Sequence, residues 1–320
     1  MCMLNYLYKR ISHALEVLLI VSIITFAVLL WIPGDAAQLI LGADATPDKL
    51  AALRTALGLD RPWYIQYWDW LKGFLHFDLG TSYLFGQEVS TLIAQRLPVT
   101  MSIAVFSMLM ASVIAIILGA LAAIKKNTTV DYFATGFMQI GSSVPAFWIG
   151  MLFIVYFGLE LKWFPVAGYV PPERGFGAYL NSIALPSIVL AIGEIGMLLR
   201  TVRTSMLDAL NQDFMDMARA KGLSNLTIYF KYALRSAMIA PLNVMGMQFA
   251  KLVGGTVVVE SVFALPGIGR LVLVAVEQRD VFLLQGLVMF ITTLVIFIAL
   301  LVDIAVMFIN PRIRVEMQGE

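Results

Sequence analysis

DFMDMARAKGLSNLTIYFKYALRSAMIAPL (residues 213–242) is the most polar long stretch in the second half of a very apolar chain. It separates two runs that are each long enough to cross a bilayer. Around it, hydrophobic residues make up 60% of the chain, charged residues 13%, and the mean hydropathy is +0.85. A soluble domain carries roughly 25% charged residues, so the composition is that of an integral membrane protein. The net charge of +1 provides no global basic field for a nucleic-acid partner. One cysteine, Cys2, excludes an internal disulfide framework, and two histidines, His13 and His76, leave no histidine-rich metal site.

A spanning helix needs about 20 mostly apolar residues. Six segments meet that length: Ile11–Ile32, Met101–Ile124, Tyr132–Leu159, Asn181–Leu199, Met238–Val259 and Val281–Val302. Pro145 and Pro186 fall inside the third and fourth and predict kinks. The first run is too long for a signal-peptide core, and Pro33 to Ala37 is a poor cleavage site, so it reads as an uncleaved anchor. Lys9-Arg10, Lys125-Lys126 and Arg200 with Arg203 flank spans tightly and place both termini and the 213–242 stretch in the cytoplasm. The resulting organisation is an N-terminal membrane helix at 1–33, an outside loop at 34–98, a core of five spans at 99–311 and a tail at 312–320. The inside loop of the core covers about 201–241.

The outside loop is too long for a plain connector. Thr46 and Pro47 predict a helix start, with the helix continuing to Gly58. Trp63, Tyr64, Tyr67, Trp68 and Trp70 predict either a helix at the headgroup layer that packs on the spans or a surface that docks an external partner. Farther on, Pro266-Gly267 and Gly269 enforce a turn. Leu271–Val276 after it either caps the outer face or re-enters the membrane.

On a helix over 206–221, Leu207, Leu210, Phe214, Met217 and Ala218 form one apolar stripe. Gly222 follows Arg219 and Lys221 at the position of a C-cap glycine. Such a helix rests on lipid, forms a basic binding patch, or docks as a rigid lever in a groove on another protein. Small Ala218 and Ala220 permit close approach in the last case.

The residues of this loop carry a family resemblance. "DFMDMARAKGL" with Ala233-Leu234-Arg235 and Pro241 resembles the EAA loop of ATP-binding-cassette importer permeases. "LGLDRPWYIQYWDWLKG", "DLGTSY", "RLPVTMSIA", "PAFWIGMLFIVYF", "FALPGIGRL", "RDVFLLQG" and "LVDIAVMFINPRIR" resemble, in order, the peptide/nickel branch of such permeases. Asp216-Met217-Ala218 stands where the motif has Glu-Ala-Ala. The resemblance implies an all-α membrane fold of six transmembrane helices, the type I importer permease fold. It implies that Asp216, Ala218, Arg219, Ala220 and Gly222 couple the chain to an ATPase. It further implies a paralogous second permease, two cytoplasmic ATPases that hold ATP and magnesium, and an external solute-binding protein. Peptides are the expected cargo, with nickel chelates or glutathione as the alternative.

The chain contains no Gly-Lys pair, and therefore no phosphate loop of its own. It also lacks the paired residues of an intramembrane protease, and no internal repeat marks a stand-alone transporter. A charge at a helix centre costs about 2.5–3.5 kcal/mol, so such residues should face protein or water. Lys251 is central in the fifth span, with Gln248 and Gly255 on its face, and Glu260 points away from it. Glu194 lies in the fourth span and Asp303 closes the sixth. Each either pairs with a neighbouring helix or, for Lys251, Glu194 and Gln248, lines a translocation path.

Overall fold

The computed structural model describes residues 2–31, 36–42 and 45–309. Pro33–Asp35 and the 312–320 tail with Arg312 and Arg314 lie outside the described residues. Among the described residues, four helices have the length and apolarity to cross a membrane unaided, and a bent pair makes a fifth crossing if counted as one.

α1 (Cys2–Trp31) is the first of the four. Beyond it in the chain come α2 (Ala36–Leu41), α3 (Pro47–Ala56) and α4 (Trp63–Leu75). Thr46 is the N-cap residue of α3, but its hydroxyl makes no cap bond, and the helix stops at Ala56. In α4, Trp63, Tyr64 and Trp68 are exposed. Tyr67 and Trp70 instead stack against Phe26 of α1, at ring-centre distances of 5.4 and 5.9 Å. The aromatic cluster is therefore half exposed and half a clasp on α1. Two-residue strands β1 (Thr81–Ser82) and β2 (Gln87–Glu88) pair antiparallel and lead into α5 (Val89–Ile124).

α5 starts at Val89 rather than Met101 and runs through Pro98. The added turns have an apolar face to bury. Val89, Leu92 and Ile93 pack with Ile268, Leu271 and Ala275 of α13 (Ile268–Glu277) and with Leu283 and Leu287 of α14 (Val281–Ile309). Leu271–Val276 is thus a cap seated on two long helices. A buried carboxylate fastens the same end. Asp280 accepts from Ser82 Oγ at 2.5 Å, from the Leu84 amide at 3.2 Å and from the Leu283 amide at 3.1 Å.

The expected third span is broken. α6 (Thr129–Ser143) and α7 (Ala146–Phe153), the latter extended by a π-helical turn to Glu160, meet at 101° beside Pro145. Proline lacks the amide that would bond back into the preceding turn, and its ring excludes helical backbone before it. α8 (Phe176–Leu210) continues through Pro186 and packs along α5 in the central core. After α8 come α9 (Asp213–Ala220), a π-helical turn over Thr227–Ala233, α10 (Leu234–Ala237), α11 (Ile239–Gly255) and α12 (Val257–Val262).

The core has three tiers. One joins α5, α13 and α14. The largest joins α5, α8 and α11. The last gathers Ala120, Ala123, Met206 and Ala209 around α9 and the Ile228–Ala237 segment.

Candidate functional site

α9 hangs from the end of α8 on a short turn at Asn211–Gln212. That turn corrects the expected single helix over 206–221. It resets the register, so the stripe does not continue across it. Met215 and Ala218 face the bundle, 0% and 6% exposed, and pack with Met206, Ile228 and Ala233. Phe214 and Met217 point outward, 38% and 59% exposed. Ala218 is consequently committed to this chain's own core and is not available to a partner, whereas Ala220 is exposed. Asp216 and Arg219 form an exposed ion pair at 2.8 Å, one turn apart. At their exposure such a pair contributes little to stability. Its chemistry faces outward, beside the two apolar side chains.

Gly222 closes the helix. Its φ is +74°, and a Cβ there would meet nothing within 4 Å. The Leu223 amide bonds the Ala218 carbonyl at 3.3 Å and the Gly222 amide bonds the Arg219 carbonyl at 2.9 Å. These are the two crossed bonds of a Schellman cap, which needs a left-handed residue at this point. The glycine is required by backbone conformation, since space is not limiting.

A clamp not foreseen from the sequence holds the base of α9. Arg203, near the end of α8, donates from Nε to Asp131 Oδ1 at 2.6 Å and from a terminal nitrogen to Oδ2 at 2.9 Å. Asp131 is buried in the first turn of α6 and also accepts the Asn127 amide at 3.0 Å. The fork ties the α5–α6 turn to the helix that carries α9. Arg203 was legible only as a flanking charge, and nothing local marks Asp131 as its partner. Asp131→Ala should cost about 2–3 kcal/mol, because it leaves a charged fork without its acceptor. Thermal unfolding in detergent would measure the loss. Arg203→Ala on top of it should cost little more, as expected of residues in one pair.

The intramembrane candidates converge across α8 and α11. Gln248 is 5% exposed and donates from Nε2 to the Glu194 carbonyl at 3.2 Å. The Glu194 carboxylate is itself buried and lies within electrostatic reach of Lys251. Lys251 and Gly255 are exposed. Asp303, in contrast, pairs with Arg10 of α1 at 3.2 Å, which is a structural contact. Glu260 is fully buried and takes hydrogen bonds from Thr100 and Thr256 at 2.6 and 2.7 Å. Among the described residues no three metal-ligating side chains cluster.

Several long apolar helices packed into one bundle define the class of a multi-pass membrane protein. Residues 3–104 match the family of the N-terminal membrane component of binding-protein-dependent transport systems. Residues 115–315 match the inner membrane component family of the same systems. The chain belongs to this family of inner-membrane permeases. It is 41% identical over 308 residues to a Brucella abortus protein named as a peptide transport system permease, covering 96% of this chain and 98% of that one. It is 37% identical over 312 residues to the glutathione transport system permease protein of Salmonella typhimurium, covering 98% and 99%. The fold is similar to a chain in the inward-facing MetNI methionine ABC transporter, with a TM-score of 0.56, 16% identity, and coverage of 68% of this chain and 96% of that one.

Proposed function

We propose that this chain forms half of the membrane pathway of an ATP-driven importer for di- and oligopeptides. α9 is the coupling helix, seated on a cytoplasmic ATPase. The observation that carries this reading is the division of α9 into a buried anchor, Met215 and Ala218, and an outward face, Phe214, Asp216, Met217 and Arg219. The anchor makes α9 move with α8, and the outward face gives a partner something to grip. Two ATPases supply ATP and magnesium chemistry, a paralogous permease completes a heterodimer, and an external solute-binding protein delivers cargo.

In this reading the chain crosses the membrane six times, with both termini cytoplasmic. α1, α5, the α6–α7 pair, α8, α11 and α14 are the crossings. α11 has 17 residues, or roughly 26 Å at 1.5 Å per residue, and α12 extends it toward the outer face. Peptide relatives at 41% identity favour peptides as cargo. The glutathione relative keeps glutathione, itself a peptide-like zwitterion, as the second reading, with nickel chelates behind it.

The test is ATP-dependent uptake in proteoliposomes holding the complete complex. Gly222→Glu should reduce uptake roughly tenfold while ATP hydrolysis continues, because a left-handed L-residue strains the cap by about 1–2 kcal/mol. Gly222→Asn, which tolerates that conformation, should retain much more. Equal, wild-type coupling in both variants would remove α9 as the lever.

A further inference from the structure

α11 carries a line of exposed positions at helical spacing, Asn243, Met247, Lys251 and Gly254, and Val258 of α12 continues it. Lipid is a poor neighbour for an asparagine and a lysine on one face, since a central lysine costs about 2.5–3.5 kcal/mol there. The line therefore faces water or protein. Immediately beside it is a buried polar group with an unmet need. Gln248 uses its Nε2 on the Glu194 carbonyl, but its Oε1 has no hydrogen-bond partner among the described residues. A buried acceptor left unpaired costs roughly 1–3 kcal/mol, a cost that a ligand donor would relieve. Gly255, one turn beyond Lys251, leaves open space where a side chain would stand.

The arrangement has a polarity. Lys251 offers an exposed cation, and Gln248 Oε1 with the Glu194 carboxylate, both buried beside it, offers two acceptors. A molecule carrying both an ammonium and a carboxylate matches that set, and peptides and glutathione share this chemistry. We propose that Lys251, Gln248 and Glu194 form a charge-reading subsite in the pathway. Lys251 takes a carboxylate of the permeating zwitterion, and the Gln248 and Glu194 oxygens take its ammonium. The subsite rests on the importer reading and assigns that pathway a selectivity of its own, separate from whatever captures the cargo outside.

The experiment compares uptake of an acidic and a basic dipeptide, Ala-Glu and Ala-Lys, by proteoliposomes holding the complete complex. Delivery is held equal by choosing concentrations that saturate the binding protein. Lys251→Met should lower the Ala-Glu to Ala-Lys uptake ratio roughly tenfold, and Lys251→Glu should invert it. Lys251→Arg should restore it, and co-purification of the ATPases should persist in all three variants. An unchanged ratio, whether uptake is normal or falls equally for both peptides, overturns the subsite and leaves the importer reading standing. Failure of the wild-type complex to accumulate either peptide with ATP overturns the importer reading and the subsite with it.

Discussion

Met217→Asp should strip the ATPases from the complex while leaving the permease folded. Met217 is 59% exposed and Phe214, three residues earlier, is 38% exposed, the two large apolar side chains on a helix whose other exposed positions are Asp213, Asp216, Arg219 and the small Ala220. Burying a methionine or phenylalanine side chain at an interface contributes about 1.5–3 kcal/mol. A carboxylate at the same point loses that contribution and adds a desolvation cost of its own. The sum exceeds about 2 kcal/mol, so docking should weaken at least roughly thirtyfold. Co-purification of tagged ATPase, with uptake measured in parallel, reads the result. Met215→Asp is the contrasting variant. Met215 is fully buried on the bundle side of the same helix, so this change should lower the unfolding temperature of the permease itself. Full ATPase recovery with Met217→Asp would show that α9 does not dock through Met217.

The contrast between Met215 and Met217 also marks where the sequence was legible. Apolar length located the long helices, because each span needs only enough greasy residues in a row. Charge flanks and Gly222 located the end of α9, because a left-handed cap has a strong local signature. The face of α9 was not legible. Helical arithmetic carried Leu207 and Leu210 across Asn211–Gln212 as though no turn intervened, and so put Phe214, Met217 and Ala218 on one stripe, whereas Ala218 packs inward and Phe214 and Met217 stay exposed. A two-residue break is invisible to a periodicity count but shifts every side chain after it. Pro145 announced a kink, yet its 101° bend depends on how α7 packs, which proline alone does not specify. Lys251, Gln248 and Glu194 were each conspicuous as polar residues in apolar runs. Their convergence belongs to the packing of α8 against α11, a relation between residues more than fifty positions apart in the chain. The Asp131–Arg203 fork was missed for the same reason.

Gly267→Ala should be the most damaging single methyl group at the junction of α5, α12 and α13. An added Cβ would stand 2.3 Å from the Glu260 carboxyl carbon, with both oxygens within 2.4 Å. The carboxylate has nowhere to go. Its Oε1 holds the Thr100 and Thr256 hydroxyls at 2.6 and 2.7 Å, and its Oε2 holds the Arg270 amide at 2.9 Å. Thr100 in turn accepts the Ile268 amide at 2.9 Å, so one side chain ties α5, α12 and the first turn of α13 together. Displacing it unpairs several buried groups at once, which places the expected loss at about 3–5 kcal/mol. Glu260→Gln should cost about 1–3 kcal/mol, since Oε1 can persist while its amide nitrogen confronts the Arg270 amide, donor against donor. The decisive comparison is the double variant. If the clash with the carboxylate is the cause, Gly267→Ala with Glu260→Ala should be more stable than the two separate losses imply, because the second change clears the space the first one invades. Unfolding temperatures in detergent give the cycle, and strict additivity would mean that Gly267 serves the turn through its backbone and not by making room for Glu260.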